Sequence, residues 1–289
     1  MGPNPRLQRF LACAATVLLA FAAQASDTHG LRIGLALGSG SAHGLAHVGV
    51  IQELEARGLE VSVVTGTSVG ALIGALWASG LSGAEIEQAT RESDWLETNR
   101  LAFSWQGLYT NDLLQRELDK IFRGRPIETW PKRFGAVATN LSNGHRQVLT
   151  TGSGALAVRA SSAVPGYFRP VMVGSDRLAD GALVEPVPVG AARGLGADFV
   201  IAVDVAYRPY EEPVSGAAQY AFQAMHILVN SLATEQLASA DIAIRLDLHR
   251  TLMADGPESV VAEGRLALRR AWPHIEKALA LAAERRRKR

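Results

Sequence analysis

The sequence predicts an α/β fold with a mainly parallel central sheet, on three observations. A strand over residues 61–64 turns abruptly into an apolar helix over 69–77. Upstream, RIGLAL from Arg32 reads as a strand that passes through a glycine-rich loop into an amphipathic helix over 45–57. A further strand, 199–205, follows a short helix at 187–193. Strands alternating with helices are joined by crossovers, so neighbouring strands run in one direction and their C-terminal ends gather along one edge. The composition, 48% hydrophobic and 20% charged over 289 residues, is that of a globular chain with ample material for a core.

The first 25 residues stand apart. Arg6 and Arg9 make a basic start, residues 10–22 are apolar, and Ala23-Gln24-Ala25 gives a small-x-small cleavage pattern. The expectation is a signal peptide cut after Ala25 and export to the periplasm or beyond. The apolar run is shorter than the ~20 residues that span a membrane. Cys13, the one cysteine, lies near the start of this run, too early for a lipidated cysteine, so the mature chain has no disulfide or thiol chemistry. The formal charge is +1 with Arg6 and Arg9 and therefore −1 without them. That balance gives no support for nucleic-acid binding.

The first strand leads into Gly38-Ser39-Gly40-Ser41-Ala42-His43-Gly44. A glycine-rich loop ahead of a helix gathers bare backbone N–H groups and the positive end of the helix dipole, and so cradles an anion. A dinucleotide fingerprint is the rival reading, but the spacing is G-x-G-x-x-x-G, one residue too long, and the second strand runs straight into a serine corner. That corner is Gly66-Thr67-Ser68-Val69-Gly70, a G-x-S-x-G between strand and helix. In such an elbow the serine is held in a strained conformation, and glycines flank it because a Cβ would strike the neighbouring strand and helix. Adjacent parallel strands then place the Gly38 to Gly44 loop beside Ser68 as an oxyanion hole, with His43 orienting the loop or meeting the oxyanion.

Helices are expected over 82–93 and 111–122, separated by an aromatic segment with Trp95, Phe103, Trp105 and Tyr109. The run 134–140 reads as a buried strand, and Ser142-Asn143-Gly144-His145 as the turn of a hairpin into 146–150. Next comes RASSAVPGYFRP, 159–170, and then a short strand that ends at Asp180-Gly181-Ala182. A serine hydroxyl needs a base within hydrogen-bond reach. His226 lies in an apolar helical run, His249 in a polar segment and His274 in a terminal helix, so none completes a Ser-Asp-His order. Asp180 is then the best candidate base.

With these four motifs in order, the chain resembles the patatin-like phospholipases of bacteria over about residues 32–206. The resemblance implies a three-layer α/β/α fold, a Ser–Asp dyad without histidine, and hydrolysis of acyl esters of lipids without a cofactor. It implies Ser68 as nucleophile, Asp180 as base, and the backbone of Ser39, Gly40 and Ser41 as oxyanion donors. Two positions depart from the family pattern. His43 stands where the loop usually carries Arg or Lys, which removes a permanent charge and is expected either to lower activity or to make it depend on pH near the histidine pKa of ~6.5. Ser41 stands where glycine is usual, and a serine keeps the backbone donor. A lipid-binding protein that has kept the scaffold and lost turnover is the alternative.

Residues 207–216 read as a loop or lid hinge, and 217–237 as a long apolar helix interrupted by Gln219, Gln223, Asn230, Glu235 and Gln236. A last helix starts near Pro257, with a kink expected at Pro273, and ends in Arg285-Arg286-Arg287-Lys288-Arg289. Residues 207–289 are expected to pack on the same domain as a helical extension. The five terminal cations offer peripheral contact with anionic lipid headgroups. No His and carboxylate cluster has metal-ligand spacing, so no metal is expected.

Overall fold

The computed structural model describes residues 30–92, 110–206, 214–248 and 256–288. The leader at 1–25, the aromatic segment at 95–109, His249 and most of the hinge at 207–213 lie outside them. β1 (Ile33–Leu37) and β2 (Val63–Thr67) are buried throughout and pair in parallel. β2 extends past the expected strand, because Gly66 and Thr67 continue its ladder to Ala136 and Val137; the strand therefore runs into the serine without a loop. Helices α1 (Ala46–Ala56) and α2 (Val69–Ala78) follow β1 and β2. α3 (Gly83–Glu92) comes next, and then α4 (Asp112–Phe122), whose buried Leu114, Leu118 and Phe122 repeat every four residues.

The parallel core continues through β3 (Arg133–Asn140), which takes the far edge of β2. A hairpin leads to β4 (Arg146–Leu149), antiparallel to β3. After α5 (Gly154–Ser161) come β5 (Val171–Val173) and β6 (Asp176–Asp180). Then α6 (Val189–Gly194) and β7 (Phe199–Asp204) return the chain to β1, and α7 (Ala217–Leu237) crosses to β8 (Ile242–Arg245). The order is β5-β6-β3-β2-β1-β7-β8, with β4 also on β3. The five strands β3, β2, β1, β7 and β8 are mutually parallel, in keeping with the mainly parallel sheet that the sequence predicts; β4 and β6 run antiparallel to β3, and β5 runs antiparallel to β6.

One feature of this sheet builds the site. A strand has two edges. β4 pairs with residues 136–139 of β3, overlapping the stretches paired by β2 (133–137) and by β6 (138–140). β2 and β6 therefore share the other edge, β6 beginning where β2 stops. Thr67 faces Val137 and Asp180 faces Ala138, so the ends of β2 and β6 meet head to head.

Helices cover both faces. Leu35, Leu37, Ile73, Leu76, Phe134 and Phe199 form one core with α1, α2, α4 and α5. Ala36, Val63, Val200 and Ala202 form the other with α6 and α7. The last helix, α8 (Pro257–Arg287), contains Pro273. It belongs to the first core through Val260, Leu268, Trp272 and Ile275. Its contact with α1 is backbone against backbone: a Cβ on Gly49 would lie 1.9 Å from the Val261 carbonyl, and one on Gly264 2.0 Å from that of Ala46. Arg269 to Glu53 at 2.7 Å and Arg57 over the Trp272 ring at 4.5 Å flank the crossing.

Candidate active site

Ser68 sits between β2 and α2 with φ 56° and ψ −123°, a conformation that L residues avoid and that persists only where the surroundings impose it. The surroundings are the two glycines of the elbow. A Cβ on Gly66 would come within 2.3 Å of the Gly70 carbonyl, and one on Gly70 within 2.1 Å of the Leu37 carbonyl, the collision expected from the motif. The Ser68 N–H donates to Ser161 Oγ at 3.0 Å, and Ser161 Oγ donates to the Val137 carbonyl at 2.5 Å. The last residue of α5 thus pins the elbow to β3. That helix starts on its own cap, with Ser153 Oγ accepting from the Leu156 N–H at 3.1 Å.

Asp180 ends β6 on the edge of β3 that β2 vacates, and the sheet brings it beside Ser68. Its side chain is 3% exposed. Oδ1 accepts from the Ala182 N–H at 2.8 Å; Oδ2 is buried with no protein hydrogen bond of standard geometry. Burial pushes the carboxyl pKa up to about 6, against the Ala182 N–H and the Ser68 hydroxyl, which both favour the charged form. Gly181 allows the turn that follows, since a Cβ there would lie 2.2 Å from the Val137 carbonyl.

The glycine-rich loop closes the site from the β1 side. A Cβ on Gly40 would lie 2.4 Å from the Val205 carbonyl, and one on Gly44 2.2 Å from Val69 Cγ2, so both glycines let the loop lie flat against β7 and α2. The Gly38 N–H donates to the Val203 carbonyl and the Ser39 N–H to the Pro186 carbonyl, both at 2.9 Å. That corrects the expected donor set: Ser39 holds the loop to the fold and has no N–H left for a ligand. Among the described residues, no hydrogen bond engages the N–H groups of Gly40 and Ser41. Ser41 has φ 49°, the left-handed region where glycine is easier, and it faces the same cavity as Ser68.

His43 is buried in the short 3₁₀ turn after the loop and does not line that cavity. The sequence reading passed over His47. This residue is fully buried on α1, with Nε2 2.8 Å from the Gly38 carbonyl. Burial drives its pKa down to about 4, against the pull of that carbonyl, so the ring is neutral and Nε2–H donates. His47 and Ser161 are the anchors that sequence reasoning missed. The signal was a small polar residue or histidine inside otherwise apolar helix faces.

The cavity over Ser68 holds about 780 Å³, within the range of small-molecule sites. Leu45, Val69, Leu72, Leu114, Val164 and Val261 make its walls apolar, and Glu87, Arg91 and Glu258 stand at its rim. Among the described residues no histidine lines it, and no group of His, Cys, Asp and Glu can hold a metal ion. The arrangement offers a strained hydroxyl, a buried carboxylate, two unengaged N–H groups and an apolar chamber.

The C-terminal basic run lies elsewhere. Arg286 reaches Asp198 at 2.8 Å, and Asp198, which immediately precedes β7, also binds Arg32, which immediately precedes β1. Those are the N-terminal ends of the parallel strands, and Ser68 is at the other end.

Several known proteins are similar. Residues 35–193 match the family described as Patatin-like phospholipase, more than half of the chain. The patatin-like phospholipase domain-containing protein 6 of Mus musculus is 33% identical over 186 residues, 61% of this chain and 14% of that protein. An NTE family protein of Mycobacterium bovis is 35% identical over 176 residues, 60% of this chain and 49% of its own length. The lysophospholipase NTE1 of Pyricularia oryzae is 31% identical over 61% of this chain and 12% of that one. The chain thus spans at most half the length of these relatives. In architecture it is similar to VipD from Legionella pneumophila, with a TM-score of 0.53 at 16% identity, covering 88% of this chain and 67% of that one. The fold, the elbow and loop motifs and the match over residues 35–193 agree: the chain belongs to the patatin-like phospholipase family.

Proposed function

We propose that the protein is a serine acyl hydrolase that cleaves acyl esters of lipids through a Ser68–Asp180 dyad. One observation supports this most: the buried carboxylate of Asp180, with its pKa raised to about 6, lies beside the hydroxyl of a serine strained at φ 56°. A buried carboxylate with few partners is a stronger base than an exposed one, which is what a serine hydroxyl requires. Ser68 Oγ attacks the ester carbonyl while Asp180 takes its proton. The oxyanion that forms is met by the N–H groups of Gly40 and Ser41, and the α2 dipole adds to them. Collapse expels the alcohol, which leaves with the proton held by Asp180. Water then attacks the acyl-enzyme by the same path, releasing the fatty acid. The acyl chain lies along Leu45, Leu72 and Val261.

Export through the leader at 1–25 places this activity in the periplasm or outside the cell. The test is hydrolysis of p-nitrophenyl esters of graded chain length and labelled phospholipids by residues 26–289, with Ser68→Ala alongside. Turnover is expected in the wild type and a loss of at least about 1,000-fold in the variant. A folded wild type that neither turns over any ester nor is labelled by a fluorophosphonate sinks the reading and favours a lipid-binding protein on the same scaffold.

A further inference from the structure

β2 and β6 end against each other on β3, and one short segment touches both ends. The Ser68 N–H donates to Ser161 Oγ at 3.0 Å, and the Asp180 N–H donates to the Ala163 carbonyl at 2.9 Å. The proposed nucleophile and the proposed base thus hang from residues two apart in the chain. Ser161 and Ala163 are buried, and Ser162 between them lines the Ser68 cavity.

This segment is the C-terminal turn of α5, and it is held from three sides. Within the turn, the Ser162 N–H donates to the Val158 carbonyl at 3.0 Å and the Ala163 N–H to the Ala160 carbonyl at 3.3 Å. On the α4 side, the Arg159 guanidinium donates to Gln115 at 2.9 Å and to Asn111, just before that helix, at 3.1 Å. On the β3 side, Ser161 Oγ donates to the Val137 carbonyl at 2.5 Å. Val137 faces Thr67, the residue before the nucleophile, and the next residue of β3, Ala138, faces Asp180.

A hydroxyl suits this place because it can accept on one side while it donates on the other. Ser161 Oγ takes the Ser68 N–H and gives its own proton to β3. Asp180 is fixed at both of its backbone groups, since its carbonyl also accepts from Thr139 Oγ1 at 2.7 Å. Between α5 and the elbow, among the described residues, the Ser161 hydroxyl makes the hydrogen bond.

We propose that Ser161 is a positioning residue: it sets the spacing of the Ser68 hydroxyl and the Asp180 carboxylate by holding the elbow to the same turn of α5 that holds Asp180. The proposal rests on the dyad reading above and adds the part that keeps its two groups in register. Proton transfer needs heavy atoms about 2.6–3.2 Å apart, and a misplacement of ~1 Å costs about 100-fold. Ser161 acts through the backbone of Ser68 and takes no part in the bond changes.

The test compares mature chains carrying Ser161→Ala, Ser161→Cys, Ser153→Ala or Ser68→Ala, each shown to be folded by circular dichroism. Attack by Ser68 is read from fluorophosphonate labelling, resolved into a maximal rate and a half-saturating concentration. Hydrolysis of soluble p-nitrophenyl butyrate is read as kcat/KM across pH. Ser161→Ala is expected to lower the maximal labelling rate and kcat/KM about 100-fold, with the half-saturating concentration within threefold. Ser161→Cys keeps a weaker acceptor at the same place; it is expected to lose about tenfold, and it carries the test if the alanine variant does not fold. Ser153→Ala removes the cap at the other end of α5 and is expected to lower the melting temperature while leaving both rates within twofold.

The pH profile separates positioning from loosening. Among the groups that bear on the Asp180 carboxyl, the Ser68 hydroxyl favours the charged form, so drawing it away raises the pKa further. In Ser161→Ala the midpoint of kcat/KM is therefore expected to move above the wild-type value of about 6, whereas a loosened fold lowers the amount of active protein and leaves the midpoint in place. A maximal rate in Ser161→Ala within threefold of the wild type overturns the proposal, as does a loss confined to the half-saturating concentration, an unmoved midpoint, or an equal loss in Ser153→Ala. Turnover retained in Ser68→Ala sinks the dyad reading and this proposal with it. Turnover lost in Ser68→Ala but kept in Ser161→Ala overturns this proposal alone.

Discussion

Asp180 and Asp198 stand at opposite ends of one sheet, and their surroundings treat the same side chain in opposite ways. Asp198 takes hydrogen bonds from Arg32 at 3.2 and 3.3 Å and from Arg286 at 2.8 Å, and these partners hold its pKa down at about 2. Asp180 has one backbone N–H on Oδ1, a serine hydroxyl nearby and no arginine. The lower end of the sheet thus satisfies its charge and ties the last helix to the first strand. The upper end leaves a buried carboxylate, a strained serine and two N–H groups incompletely satisfied, which costs stability and provides reactivity.

The largest way to break that contrast, after removal of the Ser68 hydroxyl, is to fill the donor loop. Gly40→Ala puts a methyl 2.4 Å from the Val205 carbonyl and displaces the Gly40 and Ser41 N–H groups, so kcat is expected to fall about 100-fold. Ester kinetics on protein shown to be folded by circular dichroism measure it.

The two aspartates also predict opposite responses to pH. The proposed base, Asp180, can take a proton only when ionised, so kcat/KM is expected to be level above pH about 6 and to fall roughly tenfold per unit below it. His43→Arg should leave that midpoint in place, which assigns the titration to Asp180. Stability at this residue runs the other way: with the folded pKa above the unfolded one, ionisation costs the native state up to about 3 kcal/mol as pH rises from about 4 to 6. Asp198, with its pKa lowered, stabilises the fold above pH about 4, and that contribution is lost as pH falls toward about 2. It is partly exposed at 28%, so Asp198→Asn at neutral pH is expected to cost only about 1 kcal/mol or less, with ester turnover unchanged. Denaturant melts across pH would show both slopes.

Much of the upper end was legible in the sequence because it is local. Gly66, Ser68 and Gly70 lie within five residues, and the strand and helix around them follow from composition. The Gly38 to Gly44 loop was legible for the same reason. What brings Asp180 to Ser68 was not, since it depends on β6 taking the edge of β3 that β2 leaves, a pairing between residues about forty apart in the chain. The use of the Ser39 N–H by Pro186 and the tethers from His47 and Ser161 are equally non-local. The terminal cations read as free from the sequence, yet Arg286 pairs with Asp198 across 88 residues.

In the proposed mechanism Asp180 stays buried and poorly paired because it is the base. Asp180→Asn tests it most directly, with ester turnover and melting temperature measured on the same preparation near pH 7.5. The amide can still accept from the Ala182 N–H and removes a buried charge. At least a 1,000-fold loss of turnover is expected, on the scale of removing a catalytic base, together with a higher melting temperature than the wild type. Turnover within tenfold of the wild type in a folded Asp180→Asn protein would contradict it.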